Sequence, residues 1–352
     1  MRKVLQLFNG RPAKDPGPPG ARPDHTVHNE RILSSCGWET ETLPTHPFPW
    51  NPFARMHNAY VGLDPLRTLR VLLGRRDADC VCGHLESVVG VLLLRRLFGF
   101  RPKVIVWEVP WSPGWAYRDT LSRLALPRAD MNVVFDSSQL ALVRGVAGDR
   151  APVAVVPFCI DVDFFRPTAP AAGRDGYVYS VGRDNGRDFD IVVEAMAGTP
   201  FELVLRTSTP VDVPADCASR VVQVAETVPW ARYRSLYEGA AIVVVAARET
   251  ANASGVTSLL EAMAMGLPVV VTGTRALSDY LPPEDAGVVL PVGDAEAIRR
   301  AVTSLMSDPE RRMRMGRRAR EVVIDRFSPS AHFQALARML DAAVDGTPTG
   351  SS

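Results

Sequence analysis

Three charged side chains stand where their surroundings are otherwise apolar or glycine-rich. In SGVTSLLEAMAMGLPVVVTG, residues 254–273, Glu261 is the sole carboxylate among small and apolar residues. Burying a carboxylate without a partner is costly, so its presence asks for something to hold. Upstream, VYSVGRDNGRDFDIVVEAM puts Arg183 and Arg187 between a buried strand ending at Gly182 and a helix containing Ile191–Met196. Guanidinium forks meet phosphate oxygens bidentately, and a helix amino terminus adds N–H donors and a favourable dipole. These residues suit a diphosphate clamp; they equally suit a solvated surface on which Arg183 and Arg187 pair with Asp184, Asp188 or Asp190. Ser254 and Gly255 precede the helix VTSLLEAMAMG and make a second candidate anion site, where Gly255 lets a ligand approach the backbone. Glu261, almost two turns further on, either accepts both hydroxyls of a ribose or pairs with a nearby arginine. An anion site beside a diol acceptor specifies a nucleoside diphosphate.

Other residues carry two readings each. His25 and His28 lie one turn apart at a helix start, as acceptor contacts or metal ligands on one reading and as capping and surface residues on the other. Trp107, Trp111 and Trp115, in WEVPWSPGW, either line an acceptor pocket or pack beneath a proline-rich loop. The basic run RRMRMGRRAR, residues 311–320, reads as a solvated helix face, with peripheral membrane contact as the other reading. The five cysteines are odd in number and Cys80-Val-Cys82 lacks zinc-finger spacing, which favours a reduced, cytoplasmic protein without a metal framework.

The elements that must position these residues follow from the alternation of strand-like runs (VLQLF, KVIVWEV, NVVFDS, then YVYSVG, FELVLR, AIVVVAA, PVVVTG) with helix-like segments. That pattern is α/β, with parallel sheets covered on both faces. A chain of 352 residues exceeds one core, so two doubly wound domains are expected, over 1–165 and 166–325, parted by the Pro/Ala/Gly stretch RPTAPAAGRDG. Residues 326–352 read as a helix and a tail that packs back on the first domain. The cleft between two such domains is a natural ligand site. A net charge of +1 gives no support to nucleic-acid binding. No apolar run approaches a membrane span, and MRKVLQLFNG reads as a first strand rather than a leader. Neither first strand–helix turn reads Gly-x-Gly-x-x-Gly, which disfavours a dinucleotide dehydrogenase.

The strand–Gly-Arg–Arg–helix pattern, SGVTSLLEAMAMGLPVVVTG, and AGVVLPVGDAEAIRRAVTSLMSDPERRMRMGRRAREVVIDRFS, in this order, resemble the carboxyl-terminal half of the retaining GT-B glycosyltransferases of family 4. The first domain is similar more loosely, through PPGA at 18–21, DADCVCGHLES, RADMNVVFDSSQL and VPFCIDVDFFRP. The resemblance implies a GT-B fold, two Rossmann-like domains facing a central cleft. It implies donor binding by Gly182, Arg183, Arg187, Ser254, Gly255, Val256, Thr257 and Glu261, with the Val256 and Thr257 amides on the distal phosphate. The family's first glutamate falls at Ala253 in this chain, and Glu249 is the neighbouring candidate for its place. Arg183, Arg187, His84 and Glu108 are the expected catalytic groups, and Gly20, His25 and Trp111 the expected acceptor contacts. The implied reaction moves a sugar from a nucleotide diphosphate-sugar, UDP-linked first, to a hydroxyl of a natural product or glycan, with retention and without metal or other cofactor. A sugar-nucleotide epimerase and a non-catalytic GT-B partner are the alternatives.

Overall fold

The computed structural model describes residues 1–7, 20–23, 25–43, 64–107, 116–148, 151–168, 176–183, 185–250 and 252–347. They form two compact units, each built on a six-stranded parallel sheet.

In the first unit the strands are β1 (Arg2–Leu7), β2 (Trp38–Thr42), β3 (Cys80–Gly83), β4 (Lys103–Val106), β5 (Met131–Val134) and β6 (Val153–Val155). Their order is β2-β1-β3-β4-β5-β6, with every pairing parallel. Strands such as CVCG and MNVV are buried along their whole length, as a sheet covered on both faces requires. One face packs Leu5, Val81, Val104 and Val134 against α2 (Pro65–Gly74), α3 (Leu85–Leu94), α4 (Ala116–Ala125) and α5 (Leu140–Ala147), through Val71, Leu72, Val88, Leu92, Ala125 and Val143. The other face packs Val4, Trp38, Cys80, Ile105 and Met131 against a helix from the far end of the chain. This is α11 (Pro329–Asp345), which supplies Phe333, Leu336, Ala337, Leu340 and Ala343. Trp107 belongs here. It is buried, edge-on to Phe135 and His332 at 6.5 and 5.3 Å, so it is a packing residue and not part of an acceptor pocket.

The second unit holds β7 (Tyr177–Val181), β8 (Leu203–Arg206), β9 (Val221–Gln223), β10 (Ala240–Val245), β11 (Val269–Thr272) and β12 (Gly287–Leu290). Their order is β12-β11-β10-β7-β8-β9, so the strands run outward one way from β7 and the other way from β10. In open α/β sheets, ligands bind beyond the carboxyl ends of the strands at such a reversal. Helices α6 (Phe189–Met196), α7 (Trp230–Glu238), α8 (Val256–Ala264), α9 (Ala295–Met306) and α10 (Pro309–Arg326) complete this unit.

The chain passes from the first unit to the second between Phe158 and Cys159, ahead of the expected 165–166. The following residues are tied to the second unit: Ile160 N donates to Phe327 O at 3.0 Å, and Arg320 reaches Phe165 O and Val162 O at 3.1 and 3.3 Å. No helix among the described residues is long and apolar enough to cross a membrane.

Candidate functional site

At the reversal between β7 and β10 the second unit opens a cavity of about 880 Å³. Its walls include Gly182, Arg183, Arg206, Thr227, Tyr233 and Glu261, together with the turn 252–258. Sequence and fold meet here: β7 is buried from Val178 on, and its apolar run stops at Gly182, where the chain must turn to begin α6.

The turn after β7 is held to the end of β10. Arg187 bridges Ala247, Asp188 N donates to Ala246 O at 3.0 Å, and Arg248 N donates to Gly186 O at 2.8 Å. Arg183 is exposed at the cavity wall and donates to Thr227 Oγ1 at 3.2 Å. Arg187 is only 4% exposed. Its Nη1 donates to Ser258 Oγ at 3.3 Å, and Ser258 Oγ donates in turn to Val181 O at 3.0 Å. Two wall glycines make room for it: a Cβ at Gly182 would fall 2.8 Å from Arg187 Cγ, and one at Gly255 2.9 Å from its Nη1. Of the three aspartates offered as surface partners, Asp188 and Asp190 pair with Arg248, at 2.9 and 3.5 Å. Asp184 lies outside the described residues.

Gly255 precedes α8 with φ of +90°, a conformation that other residues reach only with strain. Val256 N donates to Ala253 O at 3.2 Å, and the first α8 bond closed by Gly255 runs from Leu259 N to its carbonyl at 2.9 Å. The Val256 amide is thus engaged by the turn, unlike the expectation that it faces a phosphate. The Thr257 amide follows it in the first turn, and Thr257 lines the cavity.

Glu261 is 3% exposed and lines the cavity. No arginine pairs with it among the described residues. Instead Tyr233 and Tyr237, one turn apart on α7, donate to the same oxygen, Oε2, at 2.7 and 2.5 Å. Oε1 keeps its acceptor capacity. Burial raises the Glu261 carboxyl to about 7, opposed by the Tyr237 and Tyr233 hydrogen bonds. Burial and the nearby carboxylate push both phenols well above their ordinary range, so they remain donors.

Glu249 is exposed, accepts from Arg275 N at 2.8 Å and does not line the cavity, whereas Ala253 does. A carboxylate at the expected first-glutamate position is therefore missing from the wall, and Glu249 does not replace it there. His84 caps α3 at the end of β3, in the first unit. Gly20 is exposed with φ of +80°, and His25 opens α1 (His25–Ser35). Glu108 and Trp111, like the side chain of His25, lie outside the described residues. Tyr233, Tyr237 and Arg206 escaped the sequence reading. The tyrosine pair left one trace, its spacing of four in WARYRSLYE; LVLR ends as any strand might.

Comparison with known proteins fits this geometry. Residues 218–322 match the glycosyl transferases group 1 family. A stretch of 82 residues is 30% identical to the lipopolysaccharide core biosynthesis glycosyltransferase LpsE of Rhizobium meliloti (strain 1021), covering 23% of this chain and 24% of that protein. The match thus spans about a quarter of the relative's length. Sucrose-phosphate synthase from Thermosynechococcus elongatus has the same fold, with a TM-score of 0.70 at 18% identity over 97% of this chain and 100% of that one. Anabaena HepE, solved in complex with UDP-glucose, gives a TM-score of 0.65 at 12% identity over the same shares. The chain has the GT-B fold, two parallel-sheet units. Its second unit carries the glycosyl transferases group 1 segment.

Proposed function

We propose that this chain is a retaining glycosyltransferase that binds a nucleotide diphosphate-sugar in the cavity of its second unit and passes the sugar to a hydroxyl of a natural product or glycan. The observation that carries the reading is Glu261, a buried carboxylate with one oxygen fixed by two phenols, beside Arg183 and the start of α8. A ribose diol meets Glu261 while the diphosphate meets the Arg183–Arg187 turn and the Thr257 amide. UDP is the first candidate, supported by the UDP-glucose in the HepE structure.

In the reaction, the acceptor oxygen bonds to the anomeric carbon on the face from which the diphosphate leaves. The bond between that carbon and the phosphate oxygen breaks, and the acceptor's proton passes to the departing phosphate. Arg183, Arg187 and the helix start stabilise the growing negative charge without reorganising, so the scheme calls on no metal or cofactor. Losing one such donor costs on the order of 3 kcal/mol of barrier. His84, Glu108, Gly20, His25 and Trp111 are proposed for the acceptor and sugar side on the strength of the family resemblance. Ala253 supports a second reading, a nucleotide-binding partner that performs no transfer, because the wall lacks a carboxylate there.

Calorimetric titration with UDP, dTDP, GDP and ADP tests the donor site. One nucleotide should bind well, and Arg187→Ala and Glu261→Ala should each weaken it at least about tenfold. Unchanged binding in both variants, or no binding to the parent, would overturn the site. Tight nucleotide binding without turnover of any nucleotide-sugar and acceptor would favour the second reading.

A further inference from the structure

Arg206 ends β8 and is 4% exposed, yet it lines the cavity. Among the described residues no carboxylate pairs with it, and its buried Nε meets no acceptor. Its one aromatic contact is the Tyr233 ring, 6.0 Å from the guanidinium carbon. A buried guanidinium without acceptors is costly, so a ligand that supplies them is strongly favoured over one that does not.

We propose that Arg206 reads the base of the nucleotide, selecting one that presents a carbonyl oxygen over one that presents an amino group. The inference rests on the donor-site reading above. Strand order and a shared neighbour together decide which part of the ligand Arg206 meets. The phosphate-facing turns follow β7 and β10, and Glu261 stands on α8, which follows β10. Arg206 lies on the opposite side of β7, in register with Val181, and its carbonyl accepts from Gly182 N at 3.2 Å. Tyr233 joins the two sides, donating to Glu261 Oε2 at 2.7 Å while its ring lies 6.0 Å from the Arg206 guanidinium carbon, so a base attached to a ribose held at Glu261 comes within reach of Arg206. Beyond β8 the wall continues with Thr227, Val228 and Trp230. Trp230 is 45% exposed and edge-on to Tyr233 at 5.6 Å, which leaves a flat apolar face at the rim for a base.

The chemistry of the side chain gives the direction of the choice. Arginine carries five N–H donors and no acceptor. Uracil and cytosine share a shape but differ at C4, carbonyl oxygen against amino group, and at the adjacent N3, donor against acceptor; hypoxanthine and adenine differ in the same way at C6 and N1. An amino group facing Arg206 leaves donors opposed to donors in a buried site, the arrangement a built polar pocket rejects most strongly.

The test compares UDP with CDP, and IDP with ADP, by calorimetry on the full chain and on Arg206→Met and Arg206→Lys. The carbonyl member of at least one pair should bind about tenfold more tightly to the parent. Arg206→Met should bring that ratio close to one, while affinity for inorganic pyrophosphate, which lacks a base, stays unchanged. Arg206→Lys should restore part of the preference, since a lysine still donates. If the parent shows no carbonyl preference in either pair, the proposal falls whatever the variants do. It also falls if Arg206→Met keeps the parental ratio, or if pyrophosphate binding drops in parallel with UDP. Failure of every nucleotide to bind the parent would instead overturn the donor-site reading itself.

Discussion

Glu261 is a carboxylate whose burial raises it to about 7 from an ordinary 4.5, so the folded protein holds its proton more tightly than the unfolded chain does. The native state therefore gains most from this group below pH 4.5, and that contribution is lost as pH rises through 7. The loss amounts to roughly 3 kcal/mol once the group is fully ionised. Glu261→Gln should accordingly be more stable than the parent at pH 8, with the difference closing towards pH 5, read by urea unfolding at both values. The parent's nucleotide affinity should rise with pH over the same window, because the ionised carboxylate is the better diol acceptor; a flat profile would count against that role. Arg183, Arg187 and Glu261 were legible in the sequence because each breaks the pattern of its neighbours. Arg206 was not, since an arginine closing LVLR looks like any strand end meeting water, and only burial distinguishes it. Trp107 left pocket and packing readings open, and α11, over 200 residues away, makes it core.

Helix α8 owes its placement to a near contact of backbones. Gly266, just past its end, has φ of +68°, and a Cβ on Gly316 of α10 would run into the Gly266 carbonyl oxygen. α10 can lie this close only because position 316 has no side chain. Gly316→Ala should cost about 1–3 kcal/mol in denaturant unfolding, the range for overpacking. It should also weaken nucleotide binding, although residue 316 is no part of the cavity wall, because α8 carries Glu261 and follows directly on the Gly255 turn. Strand and helix alternation was plain from the runs of Val and Ile, and the glycine ahead of α8 marked the turn. The spatial order of strands was not legible: that β7 lies between β8 and β10 is decided by pairing across long stretches of chain, and no local residue announces it.

At the scale of the molecule, the two sheets answer to different parts of the chain. Leu340, fully buried in the first unit, packs on the sheet face that holds Val4 and Ile105. Leu340→Ala should destabilise that unit by about 2–5 kcal/mol. Calorimetric nucleotide affinity should stay unchanged, since every described residue of the cavity wall belongs to the second unit. The duplicated α/β pattern and the helical end were visible from composition and periodicity. The division at Phe158 was less so, because the apolar residues after it suit either core, and the bonds from Ile160 to Phe327 and from Arg320 to Phe165 decide the matter.

The return of α11 to the first sheet bears on the order in which the protein can be made. Domains usually mature from the amino terminus as synthesis proceeds. Here residues 159–331, the bulk of the second unit, are on hand before the strip from Phe333 to Ala343 emerges, and without that strip one face of the first sheet has Ile32 and Leu33 of α1 but lacks the cover of α11. The later half can thus settle before the earlier one is finished, and the newborn chain must keep part of an apolar sheet face from other nascent chains until α11 arrives.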